Sequence, residues 1–325
     1  MVSVICVVIT FLAGISRAED GLSFKFQPGD KYFLVSASEQ KTTRVVDGNV
    51  QVTERTVRLG CDLDIEEVEE NGCAWARHTY RRVAMKVKGP GVDIDFDTDV
   101  NQQESRRAGA QISPLALALG ESFYAKISPQ GRIDKINGLQ AIVSAARGKI
   151  AGPGGVDRLM QAINNQFDED LVRRELEGQL AVFPDACSSS ADQWSRKERL
   201  TEQAVVLEWT WRLRSRLNGV AFIDVNLVIL PSVADIQEAV EDDVKTRREV
   251  SGQGTGQIEI EEATGRIIRS GLTEDLLEEV RLSAQGLMLR PPPAPEPART
   301  HAVTTFQMVR REDPNNKSET PNKSQ

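Results

Sequence analysis

Only two histidines are present, His78 and His301. His78 sits inside an alternating, strand-like stretch, and no His-x-x-x-His or Cys-x-x-Cys pair accompanies it, so a zinc site is not expected. Pairing His78 with Cys187 as base and nucleophile has no spacing to support it. A Gly-x-Ser-x-Gly elbow and a phosphate loop are both missing. Gly252, Gly254 and Gly256 mimic a dinucleotide fingerprint, but a strand and a tight turn follow them. That fingerprint needs a helix N-terminus to hold phosphate, so these glycines read as a flexible start to a strand. No catalytic residue is named, and the chain is not expected to be an enzyme.

Two other constellations suggest binding. Asp93, Asp95, Asp97 and Asp99 alternate with Val92, Ile94 and Phe96, which puts four carboxylates on one face of a strand. With Asn101 they form the candidate Ca²⁺ site, since hard cations favour clustered oxygens. The competing reading is a solvated edge strand, because side chains two apart stand about 7 Å from one another and converge only if the backbone loops. Tyr32, Trp75, Trp209 and Trp211 are the candidate ligand-binding aromatics, expected on the concave side of curved sheets. For most of them ordinary core is the stronger expectation. No other cofactor is expected.

Met1–Gly14 is mostly apolar, and Ser16 and Ala18 suit the −3 and −1 positions of a signal-peptidase site. Residues 1–18 therefore read as a signal peptide and the protein as exported, periplasmic or extracellular. No Lys or Arg precedes the apolar core, which leaves room for a start codon further upstream. The run is shorter than the ~20 residues of a transmembrane helix, and no other stretch suits a span. Cys6 lacks the small residues of a lipobox. Removing Arg17 with the leader leaves 39 Lys+Arg against 48 Asp+Glu, a net charge of −9. An acidic chain without a basic cluster is a poor binder of nucleic acid or anionic lipid. Cys61 and Cys73 lie far apart along one hairpin, so any disulfide would use Cys187 and leave one thiol free.

The elements that must position these groups are mainly strands. Val50–Val87 alternates apolar and polar around Glu70-Asn71-Gly72, and Val205–Leu230 does so around Leu217-Asn218-Gly219. A three-residue loop with a left-handed glycine sets Leu59 opposite Val83, Val57 opposite Met85, Trp211 opposite Val225 and Trp209 opposite Leu227. A one-residue slip would turn every side chain to the other face. Shorter hairpins are expected over Phe123–Ile136 and Gly256–Arg269, with further strands at Lys31–Val46, Val92–Asp99, Leu276–Met288 and His301–Arg310. Helices are expected over Gly138–Arg147 and over Val156–Leu180, the second interrupted near Asn164–Asp168. Pro231–Val250 is ambiguous, with helical spacing at Val233, Ile236, Val240 and Val244. Residues 291–297 read as a stiff proline loop and 312–325 as a disordered tail.

The halves correspond in order. Gly29-Asp30-Lys31-Tyr32 matches Ala191-Asp192-Gln193-Trp194, Asn71-Gly72 matches Asn218-Gly219, and Gln130-Gly131-Arg132-Ile133 matches Thr264-Gly265-Arg266-Ile267. These residues, with Gly252-Gln253-Gly254 ahead of Glu261-Glu262-Ala263-Thr264-Gly265, resemble a family of uncharacterised exported bacterial proteins. Many of its members are lipoproteins, and it is classed only as a domain of unknown function. The resemblance covers roughly residues 24–310 and implies an internally duplicated β unit; it supplies no activity. Ala191 replaces a glycine of the pattern and no lipidation cysteine is present, which weakens the repeat and the implied anchoring.

The expected fold is α+β and mainly antiparallel β. It has an N-terminal β unit (19–150), a central helical segment (151–186) and a C-terminal β unit (187–311), forming two repeated curved sheets with the helices packed between them. The expected role is a non-enzymatic, envelope-associated binding or structural protein. The alternative is a carrier of an apolar, lipid-like small molecule in a cavity between sheet and helices. An open apolar pocket would favour the carrier, and a filled core the structural module.

Overall fold

The structure is a computed structural model that describes residues 21–46, 48–99, 114–149, 156–185, 192–232, 238–241, 244–284 and 296–311. The expected signal peptide (1–18), the expected disordered tail (312–325), Asn101–Ala110, Cys187 and most of the proline loop lie outside the described residues.

The N-terminal half opens with two long strands, β1 (Lys31–Val46) and β2 (Asn49–Val68), then β3 (Ala74–Gly89), β4 (Val92–Asp97), β5 (Ser122–Ile127) and β6 (Ile133–Asn137). The C-terminal half contains β7 (Gln193–Leu200), β8 (Val205–Leu217), β9 (Val220–Pro231), β10 (Glu238–Glu241), β11 (Val244–Glu261), β12 (Ile267–Ala284) and β13 (Ala298–Arg310). Residues 238–241 and 244–250 are strand, so the helical spacing at Val240 and Val244 misleads.

The expectation of two sheets is corrected. Among the described residues all pairing belongs to one antiparallel sheet in the order β6-β5-β3-β2-β1-β13-β12-β11-β9-β8-β7, with β4 beside β3 and β10 beside β11. The joint is β13, which pairs with β12 on one side and with β1 from Tyr32↔Arg310 to Thr43↔Arg299 on the other. Outward from this joint the halves run through their hairpins alike, β1-β2-β3-β5-β6 against β12-β11-β9-β8-β7 in reverse.

The registers are the expected ones: Leu59↔Val83, Val57↔Met85, Trp209↔Leu227 and Trp211↔Val225. Gly72 and Gly219 have φ of +81° and +76°. The first loop is the expected three residues, closed by Glu69 N donating to Cys73 O at 2.8 Å. In the second hairpin Leu217 pairs directly with Val220, so the loop is only Asn218-Gly219, both left-handed. Two positive φ values make the mirror-image turn that suits strand twist. The missing residue reappears as a bulge between Leu213 and Ser215, which restores the apolar face.

Three helices follow β6: α1 (Leu139–Lys149), α2 (Val156–Gln166) and α3 (Glu169–Leu180). Asp168 separates the last two, its carboxylate accepting from Asp170 N at 3.0 Å and Leu171 N at 3.2 Å. Leu139, Ile142, Val143 and Ala146 of α1 and Val172, Leu176 and Leu180 of α3 are buried. Among the described residues no helix is long and apolar enough to cross a membrane.

Both edges of the sheet end on α3. Ile133 N of β6 donates to Glu177 at 2.9 Å, while Arg196 and Trp194 of β7 donate to Ala181 O at 2.8 Å and Val182 O at 3.1 Å. Edge strands left open are pairing templates, and here Glu177 takes up one backbone donor of β6, while side chains of β7 bind the carbonyls just after α3.

Candidate functional site

Side chains alternate across the sheet, so Leu34, Leu59, His78, Tyr80 and Phe123 share the face toward α3 with Trp209, Trp211, Val225, Ile258 and Phe306. The helix crosses this face with a cavity on each flank, and Gln179 lines both.

On the N-terminal flank the cavity is about 30 Å³, room for a water, and is bordered by Cys61, His78, Tyr80 and Glu175. Burial pushes the His78 pKa down to about 4, and its Nε2 has no partner. His78 stacks on Phe123 with ring centroids 4.9 Å apart. Burial raises the Glu175 carboxyl and pushes the Cys61 thiol up to about 12. A thiol held protonated is a poor nucleophile, so these neighbours do not form an activated pair. Cys61 and Cys73 are free, and the bulge at Arg81 sets Cys61 opposite Tyr80.

On the C-terminal flank lies a more open groove. Trp194, Trp211 and Trp209 form a ladder of near-parallel indoles, with centroids 6.4 and 5.8 Å apart and 12° between planes in both pairs. Trp194 and Trp211 are buried, whereas Trp209 is half-buried and its Nε1 has no partner. An apolar cavity of about 90 Å³ lies between Trp209, Trp211, Leu272 and Phe306 and the Gly178–Val182 end of α3. Beyond it, half-buried Leu207, Val250 and Leu276 continue the apolar surface around Leu227 and Ile229. A polar cavity of about 240 Å³ adjoins at Trp194, with Arg132, Asp185 and Arg196 on its walls. Arg196 and Trp211 line both compartments. The guanidinium lies over the Trp211 ring at 5.2 Å.

The candidate aromatics are therefore split. Trp209 and Trp211 meet at the groove. Tyr32 is core, 2% exposed, edge-on to Phe26, its hydroxyl donating to Asp30 at 3.1 Å. Trp75 alternates to the other face of β3, between Glu67 and Lys126 in register. Trp194 and Arg196 were not singled out from the sequence; the signal available was their alternation on the strand that repeats Lys31-Tyr32.

The aspartates face cationic side chains and do not converge on one point. Asp93 and Asp95 pair with Lys88 and Lys86 in register, with Lys86 Nζ 2.9 Å from Asp95, and Arg82 reaches both Asp97 and Asp99. Hydrogen bonding from Arg82 holds the Asp97 carboxyl below the usual range. Among the described residues no group of three or more His, Cys, Asp or Glu side chains is arranged to hold a metal ion; Asn101 lies outside them. Gly252, Gly254 and Gly256 are mid-strand in β11, not at its start. A Cβ at Gly256 would stand 2.2 Å from Gly271 O, so the glycines let β12 lie close.

Fold and site together define a mainly β protein with one curved sheet and an apolar groove beneath a crossing helix. Residues 76–267, more than half of the chain, match the family described as "Family of unknown function (DUF6263)", and the chain belongs to that family. No curated protein matches it. Among solved structures, lipovitellin, from work titled for its lipid–protein interactions, is similar at TM-score 0.48 and 9% identity over 87% of this chain. The match spans 25% of the lipovitellin chain. An outer membrane channel from Pseudomonas putida F1 is similar at TM-score 0.22 and 8% identity, covering 88% of this chain and 98% of that one. The β domain of the Bordetella autotransporter BrkA follows at 0.18 and 7%, covering 86% and 99%.

Proposed function

We propose that the protein is an exported, non-enzymatic carrier that holds an apolar ligand in the groove between α3 and the concave face of the sheet. The groove carries this reading. It is lined by Trp209, Trp211, Leu272 and Phe306, and it leaves the Trp209 indole N–H without a partner. A filled core would have favoured a structural module. Export is supported by the apolar run Met1–Gly14 and the small residues at Ser16 and Ala18. Descent from a duplicated β unit is supported by the shared hairpin order and by the paired turns at Gly131 and Gly265.

Native mass spectrometry of protein purified from its own envelope tests the function, together with titration of a neutral naphthylamine dye against tryptophan fluorescence. A co-purifying lipid-like mass, displaced by the dye with quenching of Trp209, is expected. A bare polypeptide that also fails to bind the dye would overturn the carrier reading.

A further inference from the structure

We propose that the groove takes an acidic amphiphile, whose carboxylate or phosphate head seats against Arg196 while its aliphatic tail runs past Trp211 and Trp209 under α3. This rests on the groove being a ligand site and adds the chemistry of the ligand.

Two compartments of opposite character share one wall. The polar cavity of about 240 Å³ and the apolar one of about 90 Å³ meet at Arg196 and Trp211. An amphiphile is the small molecule that satisfies both at once.

Arg196 is half-buried, and among the described residues its hydrogen bond is from Nη1 to Ala181 O at 2.8 Å. Its Nε is buried without a partner, and among the described residues no carboxylate lies within ion-pair distance of it. Burial and the nearby Arg132 lower its pKa, and the more distant carboxylates of Glu198, Glu177 and Asp185 offset this only in part. A cation withdrawn from water without a carboxylate in direct contact is costly, and an anion brought beside it recovers part of that cost. The guanidinium fork presents its donors in the geometry that carboxylate and phosphate oxygens accept.

The other charges on the polar wall are otherwise engaged or of opposite sign. Arg132 Nη1 lies 3.6 Å from Glu177, and Asp185 adds a negative charge. Arg196 is therefore the cation left for the head group. Trp194 is held by Val182 O at 3.1 Å and keeps the indole ladder in place behind it.

The experiment uses the full delipidated chain, titrated with dodecanoate, dodecanol and acetate while tryptophan fluorescence is followed. Dodecanoate should bind roughly tenfold or more tightly than dodecanol, as a charge-assisted hydrogen bond adds, and acetate should leave the signal unchanged. Arg196→Gln should abolish the preference for dodecanoate over dodecanol. Should that variant fail to fold, wild-type protein and Arg132→Gln decide, the latter keeping a preference for dodecanoate. Equal affinity for acid and alcohol overturns the acidic ligand while leaving the apolar groove intact. Acetate binding as tightly as dodecanoate overturns the amphiphile in favour of a free anion. Failure of both dodecyl compounds overturns the groove reading together with this one.

Discussion

Trp209 and Trp211 stand two residues apart on one strand and share a face, yet burial separates their roles. Trp211 is 3% exposed between Trp194 and Trp209. Trp211→Ala should cost about 3–5 kcal/mol in urea unfolding, the cost of emptying a large buried site. Trp209→Ala should cost less stability and chiefly remove dye binding, read as a lost fluorescence response. His78 supplies a pH signature. Its folded pKa of about 4 lies below the ordinary 6.5, so between these values the unfolded chain holds a proton that the folded chain does not. Stability is therefore full above pH 6.5 and falls as pH drops toward 4, by up to ~3 kcal/mol. Urea midpoints for wild type and His78→Leu should diverge in slope across this window and run parallel above it. Glu175 acts with the opposite sign: its raised carboxyl contributes stability below pH 4.5 that is lost as pH rises through its folded pKa. Single residues were only partly legible in the chain. The two Trp at the groove were, but Tyr32 and Trp75 carry the same chemistry and were sent elsewhere by burial and strand parity.

At the scale of elements, the hairpin registers were legible because a slip by one would have exposed an apolar face. The bulges that maintain them were not. At Arg81 and Arg214 the extra residue lies between alternating runs, and a longer loop fits the pattern equally well. The tight turns hold another feature that local sequence hides. Gly131 and Gly265 have φ of +80° and +75°, and each is crossed by the segment that leads into the other half. A Cβ at Gly131 would stand 2.0 Å from Leu180 O, and one at Gly265 would stand 1.9 Å from Ser23 O. The crossing segments meet where Phe24 packs edge-on against Phe183 at 4.7 Å. Phe24 N donates to Pro129 O and Lys25 N to Thr264 O, both at 2.8 Å, so residues 24–25 tie the two turns together. Gly219, with similar φ, has nothing within 4 Å. Gly219→Ala should therefore cost about 1–2 kcal/mol, the strain of a left-handed alanine. Gly131→Ala and Gly265→Ala should cost clearly more, measured as shifts in urea midpoint. Equal shifts at all three would contradict the close packing of the segments.

At the scale of the molecule, the halves share one sheet through β13, which pairs with β1 and β12 at once. Their edges share α3, and their turns share residues 24–25. No half can lose its strands without stripping partners from the other. Urea unfolding, followed by far-UV circular dichroism and by tryptophan fluorescence, should therefore be a single coincident transition. Two separated transitions would show that the halves are independent units.

By itself the sequence determined most of the strands and helices, their apolar faces and the tight turns, because alternation, caps and turn glycines act within a few residues; around Val240 and Val244 it misled. Tertiary structure alone decided that the strands make one sheet instead of two. It also decided which tryptophans face the groove, and that an arginine stands between an apolar and a polar cavity with no carboxylate of the described residues in ion-pair contact. Those outcomes depend on which distant segments meet, and no local pattern records whether Ala298–Arg310 will lie beside Lys31–Val46.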